Sequence, residues 1–112
     1  MKEYLFLFRG GLDMDKTPEL WYEHTQKWKP WLEELIKNKI RIDGGALAGK
    51  SVMIEGANKP MVDGPFVESK EKVGGYLIIN ANDLNEAAAI AKNCPIYEFE
   101  GYVEIREIVV KP

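Results

Sequence analysis

The sequence predicts an α+β fold in which strands and helices follow the order βαββαβ. Three observations predict it. Two short runs, residues 4–8 and 75–80, are apolar at nearly every position and each adjoins a Gly-Gly pair, as strands covered on both faces do. Two longer segments carry apolar residues at helical spacing and open on capping residues. The chain closes on a run, starting at Tyr102, in which Val103 and Ile105 alternate with Tyr102, Glu104 and Arg106.

In the first strand Tyr4, Phe6 and Phe8 fall on one side and Leu5 and Leu7 on the other, and Gly10-Gly11 stops it. The first helix starts at Thr17-Pro18-Glu19: a hydroxyl that caps, a proline suited to the first helical position, and an acid that complements the dipole. Trp21, Thr25, Trp28, Leu32, Leu35 and Lys39 then recur at helical spacing. Pro30 removes a helical hydrogen bond and predicts a kink or two abutting helices. Residues 38–45 end the element, with Gly44-Gly45 as the stop. Residues 47–55 read as the second strand, strongest at Val52, Met53 and Ile54, followed by a turn at 56–60 and a short extended piece from Met61. The charged stretch 67–73 reads as a surface loop or a single helical turn. After the third strand, Asp83 with Glu86 forms a capping box. Leu84, Ala87, Ala88 and Ala91 give the buried face of the second helix, Pro95 closes it, and the last strand spans residues 102–110.

This order is the ferredoxin-like pattern, an antiparallel four-stranded sheet with both helices on one face. Yet the first and third strands are apolar on both faces. The uncovered face would exceed the apolar patch that monomers ordinarily expose, and a second copy of the same sheet is the simplest cover. The sequence therefore predicts a homodimer.

Composition excludes several classes. With 112 residues the chain reads as one domain. The net charge is −3, and the lysines are interleaved with acids, so no basic stripe for a nucleic acid is present. The single Cys94 rules out an intramolecular disulfide or a thiolate cluster, and beside Pro95 it reads as inert packing. The apolar start is too short to span a membrane and lacks a cleavage signal, which predicts a cytoplasmic protein with no membrane partner. Neither glycine pair has the spacing of a phosphate loop, and no metal or other cofactor is expected.

The string Asp63-Gly64-Pro65-Phe66, followed by Val67-Glu68-Ser69-Lys70-Glu71 and by Gly74-Gly75-Tyr76, resembles the DGPF-domain, or YCII-related, family. Gly44-Gly45-Ala46-Leu47 is similar to that family's glycine-marked second strand, and Glu104-Ile105-Arg106 to its late Glu-Val-Arg. Two positions depart from the pattern: Ser69 stands where the family usually has Thr, and Glu107 where Pro often follows the Arg. The resemblance implies a dimeric α+β barrel but no established activity. Related barrels include small isomerases and monooxygenases that use the cleft between sheet and helices, often without metal. The YCII branch carries a His and an Asp that suggest an acid–base pair.

Asp63 and His24 are the candidate catalytic residues. Asp63 is either a general base at a pocket mouth or a turn aspartate bonded to its own backbone. His24, the sole histidine, lies one residue off the helical stripe and suits proton transfer near neutral pH, or else sits partly buried with a backbone or solvent partner. Glu104 and Arg106 share one strand face, where Arg106 either grips a carboxylate ligand or pairs with Glu104 or the twin subunit. Arg9 reaches the same region or solvent, while Trp21 and Phe66 line a pocket or pack the core. Three functions follow: a small-ligand-binding protein, a cofactor-independent isomerase- or monooxygenase-like enzyme, or a structural interaction module.

Overall fold

The computed structural model describes residues 1–11, 18–54, 56–58, 60–63 and 72–110. The elements run β1 (Lys2–Arg9), α1 (Pro18–Lys37), β2 (Arg41–Ala46), β3 (Val52–Ile54), β4 (Met61–Asp63), β5 (Val73–Ala81), α2 (Leu84–Ala91), a 3₁₀ helix (Pro95–Phe99) and β6 (Tyr102–Glu107). Four strands pair antiparallel in the order β2-β5-β1-β6, and β3 and β4 form a separate antiparallel pair. The arrangement is ferredoxin-like, and the two strands at its centre, β1 and β5, are those whose sequence is apolar on both faces.

The core lies between one face of the sheet and the helices. Tyr4, Phe6 and Phe8 of β1 and Leu77, Ile79 and Ala81 of β5 are buried there with Leu35 of α1. Ala87 and Ala91, with no side chain beyond Cβ, bring α2 close down on the sheet. Phe8 meets Trp28 and Trp31 of α1 edge to face, with ring centroids 4.9 and 6.3 Å away. Each large side chain buried in this layer contributes roughly 1.5–3 kcal/mol. On the other face Leu5, Leu7, Tyr76 and Ile78 lie side by side across β1 and β5, half-buried by one another. Among the described residues no element packs onto them. The fold is accordingly a slab, 46 × 43 × 18 Å, with a radius of gyration of 15.5 Å. A compact chain of this length would have about 13 Å.

Several boundaries differ from expectation. The second sheet strand is β2, Arg41–Ala46, not residues 47–55. Gly44-Gly45 lies inside it rather than stopping the helix. The reason is steric: a Cβ on Gly44 would stand 2.8 Å from both the Tyr76 carbonyl oxygen and the Leu77 side chain, so β2 pairs with β5 only because glycine is there. Val52, Met53 and Ile54 form a strand, β3, but it pairs with β4 outside the main sheet and all three are exposed. Helix α1 runs unbroken through Pro30. Pro30 and Gln26, whose carbonyl loses its partner, are both exposed, on a side of the helix where solvent can meet the freed acceptor. Helix α2 ends at Ala91, and Pro95 instead opens the 3₁₀ helix. Leu84 is exposed rather than buried, and Ala87 and Ala91 alone of α2 are fully buried. Strand β6 ends at Glu107, three residues short of the expected 110. The capping box forms in part: the Glu86 amide donates to Asp83 Oδ1 at 2.8 Å, while the Glu86 carboxylate accepts from Asn82 Nδ2 at 2.9 Å. Thr17, Phe66, Lys70 and Glu71 lie outside the described residues.

Candidate functional site

A cleft of about 520 Å³ opens between α1 and the sheet. Its apolar wall is Phe8, Trp21, Trp28 and Leu32. Backbone of the glycine pairs 10–11, 44–45 and 74–75 borders it on the sheet side. Side chains that would narrow such a space are therefore absent where β1, β2 and β5 approach it. The polar and charged lining is His24, Thr25, Lys29, Glu33 and Arg41.

His24 is 6% exposed and is held at both ring nitrogens. Trp28, four residues on and so one turn along the same face, donates its indole N–H to His24 Nε2 at 2.9 Å. An indole N–H is only a donor, so Nε2 must be the unprotonated acceptor and the ring proton sits on Nδ1. That proton points at Glu98 Oε2, 3.2 Å away. The other Glu98 oxygen accepts from Lys27 Nζ at 2.6 Å. Lys27 first, and His24 second, hold the Glu98 carboxyl below the usual carboxylate range. The result is a fixed neutral imidazole whose lone pair faces the indole of the cleft wall. Phe99 closes over the ring edge to face at 5.0 Å.

Glu98 is delivered by the 3₁₀ helix. Pro95 starts that turn, Glu100 ends it in the left-handed region at φ 60°, and the Gly101 amide returns to the Ile96 carbonyl at 3.2 Å. A Cβ on Gly101 would collide with the Ile96 side chain and stand 2.9 Å from the Ile96 carbonyl oxygen, so the exit needs glycine. Just before the turn, burial pushes the Cys94 thiol up to about 12.

The fold brings some of the sequence-predicted site residues together and separates others. Trp21 and His24 line the cleft. Glu104 and Arg106 lie on the opposite sheet face, across from Leu7 and Leu5, and Arg9 Nε pairs with Glu104 Oε1 there at 2.9 Å. Arg106 is exposed on that face. Asp63 is the last residue of β4, and Phe66 falls outside the described residues. Sequence reasoning missed Glu98, 74 positions from His24, and Arg41, taken for the end of the helix. The helical stripe presents Trp28 as a residue that lines a pocket or packs the core, not as the donor to His24. Its spacing from His24 was the available signal. Among the described residues no cluster of three or more His, Cys, Asp or Glu side chains is placed to hold a metal, and no helix is long and apolar enough to cross a membrane.

Comparison with solved structures finds a likeness to 5-chloro-2-hydroxyhydroquinone dehydrochlorinase (TftG) from Burkholderia phenoliruptrix AC1100, in complex with 2,5-dihydroxybenzoquinone. The TM-score is 0.55 at 15% identity, over 96% of this chain and 93% of that one, a likeness of fold. No curated protein matches the sequence. The family model of the YCII-related domain matches residues 22–111, most of the chain, and the protein is a member of the YCII-related family.

Proposed function

We propose that the protein binds a small, planar organic ligand in the cleft between α1 and the sheet, as one subunit of a homodimer joined through the open sheet face. The aromatic cleft with a tautomer-fixed histidine in its wall carries this reading. Ligand sites of this kind are mostly apolar with a few placed polar groups, and the volume falls in their usual range. That the structural neighbour was solved with a small quinone is in keeping with it.

A metabolite screen by thermal unfolding tests the reading, since a ligand that binds only the folded state raises the melting point. The expected hit is a flat ring compound, and Thr25→Trp, which fills the cleft, abolishes its effect. A hit that survives Thr25→Trp overturns the assignment.

A second reading, a cofactor-independent isomerase- or monooxygenase-like enzyme, draws on His24. With the proton parked on Nδ1 by Glu98, Nε2 is the nitrogen able to accept a substrate proton once the ligand displaces the Trp28 indole. Asp63 is the second candidate for proton transfer. Solvent-deuterium incorporation into a bound ligand, lost in His24→Gln or Asp63→Asn, would establish it; exchange unaffected by both substitutions would remove both residues from the chemistry.

A further inference from the structure

We propose that the ligand is an anion and that Arg41 is the residue that recognises it, gripping a carboxylate or a similar planar group while the rings lie against Phe8, Trp21 and Trp28. This rests on the cleft being a ligand site and adds the ligand's charge class.

Arg41 opens β2, lines the cleft and is half-buried. Its Nη2 donates to the Gly44 carbonyl at 3.2 Å, which orients the guanidinium. No carboxylate of the described residues forms an ion pair with it; the pairs there are Lys2–Glu107, Arg9–Glu104 and Lys27–Glu98, and Glu98 also accepts from the neutral His24. A guanidinium presents five donors in a planar fork, so one carbonyl leaves most of that fork available. A half-buried cation with no carboxylate partner among the described residues is unfavourable, and an incoming anion relieves it. The other charges of the cleft lining are Lys29 and, one turn further along α1, Glu33. With His24 neutral, the lining carries one positive charge in excess. The fork geometry selects a planar carboxylate, which accepts two parallel hydrogen bonds. Both other arginines, Arg9 and Arg106, stand on the opposite sheet face and cannot take this role.

The test is calorimetric titration with 1-naphthoate and 1-naphthamide, which share ring and shape and differ in charge. Wild type should bind the acid about tenfold or more tightly than the amide, as charge-assisted hydrogen bonds do. Arg41→Gln keeps a donor for the Gly44 carbonyl and should bring the acid to the amide's level without changing the amide. Arg41→Lys should fall between. Equal affinities in wild type, or a preference that persists in Arg41→Gln, overturn the anion site and leave the cleft reading standing. Absence of binding by either probe, or binding of both that survives Thr25→Trp, removes the cleft reading and this inference with it. The wild-type comparison decides the matter even if a variant fails to fold.

Discussion

At the scale of single residues, the histidine's environment is the most informative feature. Replacing Trp28 with Phe keeps the ring against Phe8 but leaves the buried His24 Nε2 without its donor, so it should cost about 1–3 kcal/mol in urea unfolding. A loss near zero would mean that water replaces the indole. Glu98 has its folded carboxyl held down by Lys27 and His24. Its stabilising effect is therefore full above the ordinary carboxylate range and disappears as pH falls through the depressed folded value. The melting-temperature gap between wild type and Glu98→Gln should be constant near neutral pH and close in acid; a gap that widens in acid would contradict the ion-pair assignment. Cys94 should resist iodoacetamide at mildly alkaline pH in the folded protein and react promptly in urea, because burial suppresses its thiolate. The sequence presents it as inert packing beside Pro95, and the cause in the fold is desolvation by burial.

At the scale of elements, adjacent glycines make opposite demands. A Cβ on Gly75 would approach the Gly45 carbonyl oxygen to 2.9 Å, whereas one on Gly74 meets only the Phe8 carbonyl oxygen, at 4.0 Å. Gly75→Ala should destabilise by roughly 1–3 kcal/mol. Gly74→Ala should be neutral or stabilise by about 0.5–1 kcal/mol, the entropic handicap of glycine in a strand. Equal melting temperatures for the two variants would refute the close packing of β2 on β5. The same glycines explain where the sequence was legible and where not. Strands β1 and β5 and both helices announce themselves, since burial and capping leave local patterns. Strand β2 hides, because the backbone contact that needs glycine reads locally as a break. The strongest apolar triplet, Val52, Met53 and Ile54, was drawn into the sheet for its composition, though composition does not say which partner a strand takes. Of the candidate site, Trp21 on the helical stripe and His24 one residue off it are legible in the sequence. Glu98 and Arg41 are not, because only the tertiary fold carries the 3₁₀ helix and the start of β2 to that stripe.

At the scale of the molecule, the open sheet face governs. Leu5, Leu7, Tyr76 and Ile78 form an apolar centre bordered on the β6 side by the Arg9–Glu104 pair and Arg106. Sedimentation should give a dimer at micromolar concentration, and Leu7→Lys, at a position already half-exposed, should yield a folded monomer. A wild-type monomer would remove the sheet-to-sheet assembly. A slab only 18 Å thick has one layer of helices and one of strands, and no room for a second core. If a twin supplies the missing layer, then joining and folding are two parts of one equilibrium. Dilution would then act on this protein as a mild denaturant, with a melting point that climbs with each increase in its own concentration.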